Sequence, residues 1–178
     1  MKKFFKYNVG AAIGALVLII VLSVIGGVSR TVASSKNRVE REYSSLTFGS
    51  VSEDLRDIET YAKKFSALAA SLGCDTAELD KALSEYAYTT PFGNVRTELD
   101  AVEGAADVVY ADLTALQGAD ETNVRSATSY YYEITSSVMR IKNNTAYNNA
   151  AAKYNKVIGT FPANLFAIGR NRAAVFDR

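Results

Sequence analysis

The sequence predicts an all-α protein: an antiparallel bundle of long helices with a single N-terminal transmembrane helix that can continue into the bundle. Three observations predict it: an uncharged apolar run of 20 residues, apolar residues that recur at alternating spacings of four and three, and only 2 prolines and 11 glycines in 178 residues. An alternating 4,3 repeat keeps one apolar stripe facing a neighbouring helix. So few breakers argue against a turn-dense β-sheet fold.

The apolar run covers residues 9–28, VGAAIGALVLIIVLSVIGGV, and follows a short basic flank at residues 1–8. At about 1.5 Å per residue it spans about 30 Å, the thickness of the hydrocarbon core of a bilayer. A cleaved signal peptide is the alternative, supported by the basic start and the small-residue pattern Thr31-Val32-Ala33. The run is longer than a usual signal core, and Arg30 interrupts before the cut. We therefore predict an uncleaved anchor in the lipid bilayer.

Two further features of this segment are ambiguous. Three lysines precede the span and four basic residues follow it within fifteen positions, so the positive-inside rule does not set the orientation. Gly10 and Gly14 match the small-xxx-small pattern of contacts between membrane helices. Ordinary glycine enrichment in membrane helices also explains them.

Residues 29–178 form the predicted helical-bundle domain, with helices at about 29–46, 51–72, 76–88, 94–117 and 121–160. Two stretches keep the 4,3 repeat for three heptads: Val51, Leu55, Ile58, Ala62, Phe65, Ala69 and Leu72, then Val95, Leu99, Val102, Ala106, Val109, Leu113 and Leu116. Ser50 and Glu53 have the form of a capping box. The repeat slips in phase near Asn143-Asn144, which we interpret as a stutter inside one long last helix.

The composition excludes most catalytic chemistry. The chain has no histidine and one cysteine, Cys74, so it lacks Ser–His–Asp and Cys–His sites, histidine-containing metal sites and a disulfide framework. It also lacks phosphate-binding and dinucleotide-binding glycine motifs. We predict no enzyme, catalytic residue, cofactor or metal. A net charge of +1 without a recognition motif predicts no nucleic-acid partner.

Charge is unevenly distributed along the chain. Residues 31–139 hold 9 basic and 18 acidic side chains, whereas residues 140–178 hold seven basic side chains against Asp177 alone. One interpretation is that the last helix neutralises an acidic bundle. The other is that the basic end returns to anionic lipid, with Arg170 and Arg172 as candidate head-group contacts.

One segment carries a family resemblance. Tyr147-Asn148-x-Ala150 and Tyr154-Asn155 lead through Ile158 into Phe161-Pro162-x-Asn164. Together with the Asn37-Arg38-Val39 step after the anchor, this resembles the closing segment of the LemA family of bacterial membrane proteins. The resemblance implies an antiparallel helical bundle on one N-terminal membrane helix, in the bacterial cell membrane, with a cytoplasmic body. It implies no established enzymatic activity.

The motif residues are our candidate interaction or register positions: Tyr147, Asn148, Tyr154, Asn155, Phe161, Pro162 and Asn164. Tyrosine rings fill helix interfaces and asparagine amides fix register, so we expect these positions to be structural. The sequence then favours a membrane-anchored scaffold or protein-interaction protein that binds a membrane protein or itself. The alternative is a sensory module that binds a small molecule or peptide in a pocket near Tyr147 and Asn148.

Overall fold

The architecture is all-α, as the sequence predicts. The computed structural model describes residues 2–44, 50–116, 118, 120–167 and 169–176. Within these residues the helices are α1 (Lys2–Tyr43), α2 (Val51–Ser71), α3 (Ala77–Glu85), α4 (Val95–Ala115), α5 (Glu121–Lys142), α6 (Thr145–Gly159) and α7 (Ala163–Phe166). The described part contains no β-strand, only one isolated bridge between Phe92 and Ala173.

Helix α1 joins the apolar run to the body without a break. It is long and apolar enough to cross a membrane, with a mean hydropathy of 2.8 in its most apolar window and no residue of that window buried within the protein. Leu18, near the middle of the run, is 59% exposed. The predicted transmembrane helix therefore does continue into the bundle. The end of the predicted helix at about 29–46 falls at residues outside the described part.

The predicted apolar stripes form the core. Six of the seven positions of the first repeat, Val51 to Ala69, are fully buried, and six of the second repeat are at most 2% exposed. Burying an aliphatic or aromatic side chain of this size contributes about 1.5–3 kcal/mol. The Ser50 hydroxyl caps α2 by accepting from the backbone N–H of Glu53 at 3.2 Å. Local capping and the apolar repeat thus agree on where α2 begins.

The helices pair unevenly. α2 packs mainly against α5, α1 against α6, and α3 against α4, whereas α1 and α2 make little contact. α2 and α5 are antiparallel, because Asp54 near the start of α2 meets Arg140 near the end of α5. The loop after α3 connects the groups: Tyr86 donates to the carbonyl of Leu55, and the hydroxyl of Tyr43 donates to the carbonyl of Tyr88.

The structure corrects the prediction of one continuous helix at 121–160. α5 ends at Lys142 and α6 begins at Thr145. The side-chain oxygen of Asn144 accepts from the N–H of Tyr147 at 3.0 Å, which caps α6. Asparagine competes for the backbone in this way inside helices and favours caps instead. The phase slip in the repeat marks a break rather than a stutter.

The short third helix also ends earlier than its predicted boundary near residue 88. The backbone of Tyr86 is extended, and this places its ring in the core at 8% exposure. Its hydroxyl reaches the backbone of α2 at 3.3 Å. The free energy gained by burying the Tyr86 ring therefore exceeds that of continuing α3 by another turn.

Candidate functional site

The body returns to the apolar run at the end of α6. One face of α6, which includes Tyr147, Ala151, Tyr154 and Ile158, is buried in the core that it shares with α1. Val157 in the last turn of α6 and the following residues Thr160 to Ala163 line a groove of about 390 Å³. The other side of this groove is formed by Ser23, Val24, Gly27, Val28 and Thr31 of α1. The last turn of α6 thus lies beside the C-terminal end of the apolar run.

This end of the body presents apolar side chains to the outside. Phe161 is 77% exposed and Leu165 is 57% exposed. Pro162 follows Phe161 across a cis peptide bond and is half-buried at the start of α7, and Asn164 is exposed. We call Phe161 and Leu165 the apolar tip. Exposed apolar side chains beside the C-terminal end of a membrane-length apolar run are suited to the interface of a bilayer.

Arg170 and Arg172 lie at different heights above the apolar run. The N–H of Arg170 donates to the carbonyl of Ala167 at 2.9 Å, so Arg170 directly follows α7. The carbonyl of Arg172 accepts from Gly93, next to Phe92, whose ring lies 5.6 Å from the ammonium of Lys36. Lys36 is about 12 Å beyond the run by helix rise. Arg170 is therefore the nearer of the two to the membrane end, and a lipid contact by either stays a prediction.

Neutralisation explains only part of the basic excess of residues 140–178. Arg140 pairs with Asp54 at 2.7 Å, and Lys142 pairs with Glu103 at 2.8 Å. Within the described part, Lys153 has no carboxylate at salt-bridge distance. The basic residues at the start of this stretch therefore balance carboxylates of α2 and α4.

The two Tyr-Asn pairs of α6 hold the C-terminal segment (residues 170–176). The amide of Asn155 donates to the carbonyl of Ala173 and its oxygen accepts from the same residue's N–H, both at 2.8 Å. The oxygen of Asn148 accepts from the N–H of Phe176 at 2.9 Å. These amides give an extended chain the hydrogen bonds that a neighbouring β-strand would otherwise supply.

The tyrosines of the same pairs are buried beside this segment. The hydroxyl of Tyr147 donates to the carbonyl of Ala174 at 2.9 Å, and its ring lies 5.7 Å from that of Phe176. The ring of Tyr154 packs on the ring of Phe92, with 5.4 Å between the ring centroids. Burial raises the pKa of the Tyr147 hydroxyl well above its ordinary value, and the nearby Tyr43 adds to this. Next to Tyr147 and Asn148, where a sensory module would need its ligand, the structure places Ala174 and Phe176 of the C-terminal segment.

Two further ionisable groups of the body, Cys74 and Glu59, have pKa values shifted by their surroundings. No group of three or more metal-ligating side chains occurs among the described residues. Burial raises the pKa of the half-buried Cys74 thiol, which opposes formation of a nucleophilic thiolate. Lys63 and Tyr88 donate to Glu59, and these hydrogen bonds lower the pKa of its carboxyl.

Gly10 and Gly14 are accessible along α1. A Cβ atom added at either position would meet nothing within 4 Å. A second membrane helix could therefore approach here, and the contact stays a prediction.

Sequence reasoning missed two tertiary features of the body. The first is the C-terminal segment as the partner of the asparagines, and the second is a basic groove between α1 and α6. A signal for the groove was available, because residues 1–39 and 134–176 contain no acidic side chain. Nothing in local spacing shows that residue 155 pairs with residue 173.

Comparison with models of known families, with curated proteins and with solved structures finds no match to this chain. The resemblance to LemA proteins rests on the residues of the Tyr-Asn and Phe-Pro motif and on the Asn37-Arg38-Val39 step.

Proposed function

We propose that the protein is a membrane-anchored, non-catalytic helical scaffold of LemA type in the bacterial cell membrane, with its body on the cytoplasmic side. One observation carries the proposal: α1 is a single helix whose most apolar window has no buried residue in the described structure and whose continuation is built into the body. A rigid connection of this kind fixes the body at the membrane surface.

The core supports an anchor that stays attached. Val32 is 1% exposed, and Val28 packs against the same core. Cleavage after Ala33 would remove both side chains. By ordinary transfer energies, full burial of a valine such as Val32 contributes about 1.5–3 kcal/mol, and the partly buried Val28 adds less. A body that depends on these residues is better suited to a permanent anchor than to a signal peptide.

The scaffold role is supported by what the helices expose. Val108, Tyr132 and Met139 are each 58–63% exposed on the body. Exposed apolar side chains provide contact surfaces for other proteins where they form a contiguous patch. We propose that the partner is a membrane protein or a second copy of this chain.

Membrane extraction tests the anchor. We expect the full-length protein to stay in the membrane pellet after alkaline carbonate washing. The variant Leu18→Lys/Ile19→Lys is expected to leave the pellet or be degraded, because each lysine at mid-membrane costs about 2.5–3.5 kcal/mol. The control Val108→Lys, on the exposed surface of α4, should stay with the membrane. Wild-type protein in the aqueous fraction would contradict the proposal.

Proximity labelling from a C-terminal fusion in intact cells tests the rest. We expect cytoplasmic labels and, with crosslinking, either a self-adduct or a recurrent membrane-protein neighbour. Labels confined to proteins outside the cytoplasm would reverse the orientation. The absence of both a self-adduct and any recurrent neighbour would argue against a scaffold.

A further inference from the structure

A basic groove of about 570 Å³ lies between α1 and α6, on the side of α1 that faces away from the core. Its lining includes the small residues Ala33 of α1 and Ala150 of α6. Four cationic side chains line it: Arg30, Arg38, Arg41 and Lys153. Three helical turns of α1 and the middle of α6 thus bring positive charges that are far apart in sequence around one concavity.

The remaining polar lining completes a set suited to anions. Ser34, Ser35 and Asn37 add two hydroxyls and an amide. Of the described residues that line the groove, none is acidic. Seven hydrogen-bond-donating side chains without a carboxylate are complementary to an oxyanion rather than to a metal or a neutral ligand.

The cations are available for such a ligand. Arg41 pairs with Glu42 at 3.2 Å, outside the groove lining. In the described part of the chain, neither Arg30 nor Arg38 has a carboxylate at salt-bridge distance, and the same is true of Lys153. All three side chains belong to exposed residues. Positive charges that surround one space without a neighbouring carboxylate in the described part raise the local concentration of anions.

The position of the groove along α1 is also defined relative to the apolar run. Arg30 is about 3 Å beyond Val28 along the helix and Arg38 about 15 Å beyond it. The polar layer of a bilayer extends roughly 5–8 Å past the hydrocarbon on each side. The mouth of the groove at Arg30 would therefore open at head-group level, with its upper end in water.

We infer that the groove between α1 and α6 binds a phosphate-bearing anion, held by Arg30, Arg38 and Lys153. The phosphate can belong to a lipid head group or to a soluble polyphosphate. The lipid source rests on the proposed membrane anchor, whereas binding of a soluble phosphate does not.

Two arms of one experiment distinguish the sources, both with full-length protein in nanodiscs. In the first, inorganic tripolyphosphate is titrated calorimetrically into protein in phosphatidylcholine nanodiscs. In the second, nanodiscs contain a minor fraction of cardiolipin, and native mass spectrometry counts the cardiolipin retained after transfer to neutral detergent.

The variants are matched in charge. Arg38→Gln/Lys153→Gln removes two groove cations. Arg125→Gln/Lys156→Gln removes one arginine and one lysine at exposed positions of α5 and α6 outside the groove. Loss of two charge-assisted hydrogen bonds predicts a reduction of at least about tenfold in affinity or retention for the groove variant. The control should stay within about twofold of wild type, since it keeps those bonds.

Each outcome of the two arms either supports the inference or overturns it. Selective loss in the first arm identifies a soluble phosphate, and selective loss in the second identifies a lipid head group. Equal loss in both double variants would show non-specific attraction and overturn the inference. Absence of binding by wild type in both arms would also overturn it, while carbonate extraction tests the anchor independently.

Discussion

Replacing Asn148 with alanine is expected to lower the free energy of unfolding by about 2–4 kcal/mol. The side chain is 2% exposed, and its amide serves three backbone groups: it donates to the carbonyls of Ile141 and Lys142 and accepts from the N–H of Phe176. Alanine leaves the buried N–H of Phe176 without its acceptor and the carbonyl of Lys142 without this donor, while the carbonyl of Ile141 keeps the N–H of Asn144 at 3.1 Å. Chemical denaturation of the full-length protein in detergent measures the loss.

Asn149 provides the control, because it is the same residue type on the same helix but exposed. Asn149→Ala should change stability by less than about 0.5 kcal/mol. Hydrogen exchange then locates the effect. The amide of Phe176 should exchange faster in the Asn148 variant and at the wild-type rate in the Asn149 variant. Equal stability of the two variants would show that Asn148 does not hold the C-terminal segment.

Replacing Arg140 with alanine is the second substitution with a large expected effect. Arg140 donates from Nε to Asp54 at 2.7 Å, and the Asp54 side chain is only 4% exposed. Removing one partner of a buried pair leaves the other charge uncompensated, at a cost of about 3–5 kcal/mol. Since Arg140 is 45% exposed, water can replace part of its contact. We therefore expect a loss of about 2–3 kcal/mol near neutral pH.

The pH dependence of this loss is specific. Burial already raises the pKa of the Asp54 carboxyl, against the hydrogen bond and charge of Arg140, which lower it. Without Arg140 the folded-state pKa rises further above the unfolded value. The folded state then binds the proton more tightly, so stability is highest below the unfolded pKa and falls as pH rises through the folded pKa.

Denaturation at acid and neutral pH measures this slope. Arg140→Ala should approach wild-type stability in acid and fall below it as pH rises. Adding Asp54→Asn should remove the extra slope, and Arg125→Ala, at an exposed position of α5, should show none. A pH-independent loss would mean that Arg140 contributes packing rather than charge compensation.

Periodicity predicted the helices that one stripe defines. Val51 to Ala69 and Val95 to Leu113 are buried as their 4,3 spacing requires, because a helix with one apolar stripe has one way to bury it. The same logic failed at Asn143-Asn144. There the apolar period nearly continues, and a side-chain cap of about 1 kcal/mol decides in favour of two helices.

The contacts of the C-terminal segment and the basic groove were less accessible to sequence reasoning. The motif residues Tyr147, Asn148 and Asn155 are visible in the sequence, but their partners lie 18 to 28 residues away in an extended segment without periodicity. The groove cations come from two helices whose pairing is a tertiary property. The spacing of residues along a helix predicts which side chains share one face. It does not predict which face of another helix packs against them.

The most direct test of the anchored body is the depth of three positions in a bilayer. Cys74 is the only cysteine, so Cys74→Ser gives a background for single spin labels at Leu18, Leu165 and Tyr132 of the full-length protein. The ratio between the spin-relaxation enhancement by oxygen and that by a water-soluble nickel complex reports the depth of each label in the bilayer. We predict Leu18 in the hydrocarbon, Leu165 at the interface and Tyr132 in water. A label at Leu18 as accessible to nickel as the one at Tyr132 would contradict the account.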